Sequence, residues 1–165
     1  MPCYPMAAPW PTRSPSWQAA FASIVGASHV VTDDRLAERA TAGAAKAGVL
    51  VDVRVAPLDA LPFEADSFDL VVVHSAGGML ASLEETLRVA ALRECRRVLR
   101  TGGRLVAVEA GTPSGLTSFL HKAPAGQQVY DASGGTTAAL RRAEFSPVRE
   151  LGDREGLRFA EGLKG

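Results

Sequence analysis

The chain is poor in cysteine, has no excess of either charge, and opens without an apolar run. Its 165 residues include only two cysteines, Cys3 and Cys95. Two distant thiols make neither a disulfide framework nor a zinc cluster, so a cytoplasmic protein with no metal site is expected. Eighteen basic residues balance eighteen acidic ones. A neutral chain lacks the electrostatic footprint of a nucleic-acid or anionic-membrane binder. Prolines at positions 2, 5, 9, 11 and 15 interrupt the start, and no apolar h-region is present there. That pattern excludes a signal peptide and a membrane span. No CxxC pair, Walker loop or Ser-His-Asp spacing occurs.

What is present suits one soluble domain with a real core: 47% hydrophobic and 22% charged residues. Residues 1–14 read as an irregular Pro-rich leader, because proline at that density suits neither helix nor central strand. The domain then covers 15–165. Ser14-Pro15 starts a helix over 16–25 whose apolar face is Trp17, Phe21, Ile24 and Val25. A short strand over 29–32 and a helix over 35–47 follow, the latter with inner positions Leu36, Ala40, Gly43, Ala44 and Ala47. Strands are expected at 49–55 and at 68–73, the latter the most buried-looking. Ser82 to Glu85 has the form of a capping box for a helix burying Leu87, Ala91, Cys95 and Val98.

The stretch RVLRTGGRLVAVEA, residues 97–110, reads as a helix stopped by a left-handed Gly102 or Gly103, then a strand over 104–109. A polar excursion, a short helix over 136–144 and a hairpin of strands 146–151 and 157–161 close the chain. Alternating strand and helix imply an α/β, Rossmann-like, doubly wound, mostly parallel sheet with a C-terminal antiparallel hairpin. Ligands of such sheets sit outside the carboxyl ends of the strands. Arg93, Arg96, Arg97 and Arg100 share a helix with Glu84, Glu85 and Glu94, and read as a solvated face.

The stretches DALPFEADSFDLVVV (59–73) and ALRECRRVLRTGGRLVAVE (91–109) resemble the class I S-adenosylmethionine-dependent methyltransferases. The subgroup containing the ubiquinone and menaquinone methyltransferases is the nearest, and the resemblance covers roughly 16–161. It implies S-adenosylmethionine as cofactor and a small-molecule methyl acceptor.

The family's glycine-rich loop, which receives the methionine end of the cofactor, should precede the helix over 16–25. No glycine stands between Met1 and Val25, so the first strand and its loop are read as missing. The acidic residue that clamps the ribose falls on Asp34, which equally caps a helix. Pro57 occupies the place of the family's adenine-binding Asp, leaving Asp59 and the Leu58 backbone as substitutes. Losing several donors costs about 4–6 kcal/mol at roughly 1.5–3 kcal/mol for each charged hydrogen bond. Cofactor affinity is then expected to fall from micromolar toward millimolar, at about 1.4 kcal/mol per decade.

By the same resemblance His74 and Ser75 line the cofactor and acceptor pocket, with His74 a candidate general base or simply a hydrogen-bonded strand-end histidine. Glu109, His121 and Tyr130 fall on the acceptor side. In the family the first strand lies between the second and the fourth, so its absence either brings those two together or leaves two exposed edges; exposed edges invite a second chain, and a homodimer is expected. The competing reading is a non-catalytic, truncated methyltransferase fold acting as a binding or assembly module.

Overall fold

The computed structural model describes residues 27–32, 34–75, 77–110, 125–154 and 156–165. The leader, the helix expected over 16–25, Asp33 and His121 lie outside the described residues. The chain divides into two compact units, Met1–Pro57 and Leu58–Gly165, and each is taken by itself.

Among its described residues the first unit is a strand-helix-strand crossover. Strand β1 (Ala27–Val31) pairs in parallel with β2 (Val51–Val55), from Ala27 opposite Val51 to Val31 opposite Val55. Parallel neighbours need a long connection, and helix α1 (Asp34–Ala47) supplies it. Asp34 in its first turn and Lys46 in its last complement the helix dipole. Gly48 ends it at φ 68, with Gly48 N–H donating to the Ala45 carbonyl and Val49 N–H to that of Ala44. That pair of bonds is a Schellman stop. Ala44 is buried and Ala40 and Gly43 are half-buried, while Leu36 and Ala47 are exposed. The inner face is narrower than the sequence pattern suggested.

The second unit holds a four-stranded sheet in the order β3-β4-β6-β5. Strands β3 (Phe68–Ser75) and β4 (Leu99–Ala110) are parallel, while β6 (Leu157–Leu163) runs antiparallel to β4 and β5 (Val148–Arg154) antiparallel to β6. The expected terminal hairpin is therefore present, with longer strands. Between β3 and β4 come a single turn α2 (Met79–Ser82) and helix α3 (Glu85–Val98). Two helices, α4 (Ala125–Ala132) and α5 (Gly135–Arg142), precede the hairpin. Helix α4 occupies part of the stretch read as polar excursion.

The core gathers Leu80, Leu92, Cys95, Leu99, Leu105, Tyr130, Leu140 and Phe145 around β4. Strand β4, not β3, is the most buried strand: β3 is half-buried along most of its length. Helix α3 buries Arg88, Ala91, Leu92, Cys95 and Val98, so the face is turned toward Leu92, and Leu87 is left 37% exposed. The capping box does not form. Glu84 is the N-cap without a side-chain bond, and the Ser82 hydroxyl donates to the Met79 carbonyl within α2.

The Arg-Thr-Gly-Gly stretch does something other than stop a helix. Helix α3 ends at Val98 with Leu99 already extended. Phe68 pairs with Leu99, but Leu70 pairs with Arg104, so 100–103 bulge from the ladder. Gly102 takes φ 78 there. Gly102 N–H donates to the Lys164 carbonyl, and Lys164 N–H to that of Gly103. A Cβ on Gly103 would lie 2.8 Å from the Arg100 oxygen and 3.2 Å from the Asp69 oxygen. The second glycine is there because backbone approaches too closely for any side chain.

Candidate functional site

The LPF loop and helix α3 are clamped together by two side chains. Glu94 accepts from Leu61 N–H at 3.0 Å and from Arg97 Nε and Nη2, both at 2.8 Å. Arg97 donates in turn to the carbonyls of Phe63 at 2.9 Å and Leu61 at 3.1 Å. Phe63 packs edge-on against Phe68, with ring centroids 4.9 Å apart. The Glu94 carboxyl is held below the usual range chiefly by its Arg97 hydrogen bonds. The arginine cluster is thus not merely solvated. Arg97 fixes the loop, Arg100 reaches Asp69, and Arg93 and Arg96 both reach Glu144.

Asp34 is the first residue of α1, exposed, beyond the carboxyl end of β1. Leu58, half-buried, and Asp59, exposed, form a turn just before the clamped loop. His74 is exposed one place before the end of β3, where partial desolvation moves its imidazole below the usual value and favours the neutral form at pH 7. Ser75 ends β3 but is only 1% exposed. Its Oγ accepts from Leu80 N–H at 2.8 Å, and its carbonyl from Gly78 N–H. With Gly78 at φ 78, these bonds form the tight turn that ends β3 and begins α2.

Glu109 and Tyr130 are brought together through a residue the sequence reading missed. Thr136, in the first turn of α5, donates to Glu109 Oε2, and its Oγ1 lies 2.8 Å from the Tyr130 hydroxyl. A threonine hydroxyl has one proton. With that proton on the Glu109 bond, Tyr130 must be the donor to Thr136. Tyr130 in turn lies under the Arg88 guanidinium, 4.6 Å from the ring centroid. Arg88 itself is buried and donates to the carbonyls of Leu80 and Leu83. One polar chain therefore runs from the turn after β3 to the end of β4. Burial is the main force raising the Glu109 carboxyl, opposed by Thr136 and by the Arg158 charge. Burial likewise raises the Tyr130 phenol.

Two of these partners left a trace in the sequence. Arg88 sits at the apolar phase of α3, an odd place for a charge, and Thr136 follows a glycine pair at a helix start. Arg158 left none, because only the register of β6 brings it opposite Glu109. A cavity of about 150 Å³ opens beside this chain, walled by Glu109, Asp131, Thr136, Glu150, Arg158 and the glycines 134 and 135. Among the described residues no group of three His, Cys, Asp or Glu side chains is placed to hold a metal ion. No helix among them is long and apolar enough to cross a membrane.

The strand arrangement about β4, with its parallel crossover and antiparallel hairpin, is that of an α/β Rossmann-like protein. The methyltransferase domain family matches residues 16–107, more than half of the chain, and the chain belongs to that family. Among solved structures it is similar to an S-adenosylmethionine-dependent methyltransferase from Aquifex aeolicus (TM-score 0.67, 14% identity, 91% of this chain and 75% of that one). It is also similar to one from Methanosarcina mazei (TM-score 0.60, 20% identity, 90% and 87%). PigF, solved with SAH, gives a TM-score of 0.61 at 17% identity over 92% of this chain. The chain spans about half of some solved relatives, 47% of PigF and 52% of a Bordetella parapertussis protein. No curated protein matches it in sequence.

Proposed function

We propose that the chain is a domain that binds S-adenosylmethionine and transfers its methyl group to a small molecule. The family match over residues 16–107 carries this reading. The cofactor supplies an activated methyl; what the chain must supply is alignment, the main requirement of methyl transfer. Each unit by itself offers polar groups that support the nucleoside half of this reading. In the first unit the exposed Asp34 carboxylate, beyond the carboxyl end of β1, suits two ribose hydroxyls. In the second unit the Leu58–Asp59 turn offers a backbone N–H and a carboxylate to adenine, and the Glu94–Arg97 clamp holds the loop that follows it. His74 in neutral form suits a base or acceptor contact, with Ser75 shaping the turn beside it. Glu109 and Tyr130 serve the acceptor side, as does His121 by resemblance. The ubiquinone-type subgroup remains our reading of the LPF and RVLRTGGRL motifs.

The free, buried Cys95 thiol supports a reducing, cytoplasmic setting. A homodimer is the proposed assembly, since among the described residues β1 pairs only with β2 and β3 only with β4. Unpaired edges accept strands from a second copy. A monomer in light scattering at high micromolar concentration refutes the dimer.

Calorimetric titration with S-adenosylmethionine and S-adenosylhomocysteine tests the main reading. Saturable binding, lost on Asp34→Ala, supports it. The second reading, a binding or assembly module, draws on Pro57 in the place of the adenine partner. Silence up to millimolar ligand selects that second reading.

A further inference from the structure

We propose that helix α4 is a gate beside the carboxyl end of β4, hinged at Gly134 and Gly135, latched by the Tyr130 side chain, and able to open while the sheet stays folded. As a statement about how a methyl acceptor enters, it rests on the function proposed above; as a movement it stands on α4 and the socket of Tyr130.

The hold on α4 is narrow. Of its side chains from Gln127 to Ala132, only Tyr130 is buried. Gln127 is half-buried, and Gln128, Val129, Asp131 and Ala132 are exposed, Val129 to 70%. An eight-residue helix does not persist in water without docking, so α4 depends on the seat that Tyr130 finds. The Asp131–Arg158 pair is long, at 4.0 Å, and partly solvated, and such pairs contribute little.

The socket exists without its plug. Arg88, which lies over the Tyr130 ring, belongs to α3 and is held by the carbonyls of Leu80 and Leu83. Thr136, which accepts from the phenol, belongs to α5 and keeps its own proton on Glu109. Withdrawing Tyr130 therefore strands neither donor: guanidinium and threonine keep their acceptors, and the phenol passes to water. Release of this latch avoids the penalty for unsatisfied buried groups that makes most such contacts hard to open. The ring must still leave the core, which keeps the closed state favoured.

The hinge is built in. Gly134 and Gly135, where α4 gives way to α5, have φ of 96° and 56°. Residues with a side chain rarely take two such values in succession, and hinges are places that absorb large backbone rotations. Beyond the hinge α5 buries Thr136, Ala139 and Leu140 and stays with the core. Asp131 and the two glycines wall the cavity beside Glu109. An outward swing of α4 removes the Asp131 wall and uncovers Thr136 and Glu109 from the Tyr130 side.

Hydrogen exchange of the full chain, read by mass spectrometry on peptides from α3 and α4 across a urea series below the unfolding transition, tests the gate. The α4 amides should be protected, yet exchange roughly tenfold or more faster than those of α3. Their exchange should depend little on urea, as an opening that exposes little surface does. Tyr130→Phe deletes the phenol bond and keeps the ring; α4 exchange should rise roughly fivefold, the worth of one neutral hydrogen bond. Gly103→Ala strains the sheet in the open and closed states alike, so it should speed α3 exchange and leave that of α4 unchanged. If α4 shares the rate and urea slope of α3, or gains as much as α3 in Gly103→Ala, it opens only with the whole fold and the proposal is overturned. Unprotected α4 amides in the wild-type chain, or unchanged α4 exchange in Tyr130→Phe, overturn it too. Titration with S-adenosylmethionine separates the two ideas. A gate that opens in a chain that does not bind the cofactor stands while methyl transfer fails, and cofactor binding with an α4 as fixed as α3 removes the gate alone.

Discussion

Replacing Thr136 with valine removes one oxygen and almost no volume, so the change isolates hydrogen bonding from packing. Two bonds disappear: the donation to Glu109 and the acceptance from Tyr130. A bond to a charged acceptor contributes about 1.5–3 kcal/mol and a neutral one about 1 kcal/mol. Both partners are buried, so neither recovers fully in water. The expected loss is about 2.5–4 kcal/mol at pH 8. At about 2–4 °C per kcal/mol for a chain of this size, the midpoint should fall by roughly 5–16 °C.

The loss should also depend on pH, in a direction that follows from Glu109. Burial raises its native pKa. Its contribution to stability is therefore full below the unfolded value and declines as the pH rises through the native one. The Thr136 donation opposes that decline by favouring the ionised form. Without it the native pKa climbs further, and the variant loses more at pH 8 than at pH 4.5, by on the order of 1–2 kcal/mol. Thermal unfolding followed by circular dichroism at the two pH values measures this. A deficit independent of pH, or one below about 0.5 kcal/mol at pH 8, would show that the Tyr130–Thr136–Glu109 chain is not a coupled unit.

Other parts of the fold make equally direct predictions. Gly103→Ala drives a Cβ to 2.8 Å from a backbone oxygen that cannot move aside, and urea unfolding should show a loss of about 1–3 kcal/mol. Glu94 is held below its ordinary value of 4.5 by Arg97, so its stabilising effect is present above that value and is lost as the pH falls below it. Acid titration of Arg97→Met should lack that step, and limited proteolysis should find the loop at 61–63 cut faster in the variant. Burial pushes the Cys95 thiol up to about 12. Peptide-resolved mass spectrometry should find it unalkylated by iodoacetamide at pH 8 in the native chain and alkylated in urea.

The sequence carried the alternation of strand and helix because burial on two faces leaves long apolar runs such as Leu105 to Val108, and caps such as Gly48 punctuate them. It misplaced details wherever tertiary contact overrode local chemistry. Ser82 and Glu85 have the spacing of a capping box, but Ser82 is taken up in α2 first. Gly102 and Gly103 look like a helix stop, yet the left-handed turn serves a bulge against the chain's last residues. The candidate site divided in the same way. Glu109 and Tyr130 were visible as polar residues at informative places, whereas the atom that joins them belongs to Thr136, and its role exists only once α5 has docked. Arg97 was read as solvated because helical periodicity says nothing about a loop thirty-odd residues earlier in the chain that needs its carbonyls satisfied.

The arrangement of strands bears on how such a chain binds anything. In the class, the first strand pairs on either side with the second and the fourth. Here their counterparts β1 and β3 each have a single partner among the described residues. A sheet joined through a central strand holds its ribose clamp and its adenine loop at a fixed spacing by backbone hydrogen bonds. The Glu94–Arg97 clamp, the Ser75 turn and the Glu109–Thr136–Tyr130 chain lie wholly within the second unit and depend on no such spacing. The losses expected for the Thr136, Gly103 and Arg97 variants rest on contacts within that unit and should therefore be the same in an Asp34→Ala background, which thermal and urea unfolding of the double variants checks.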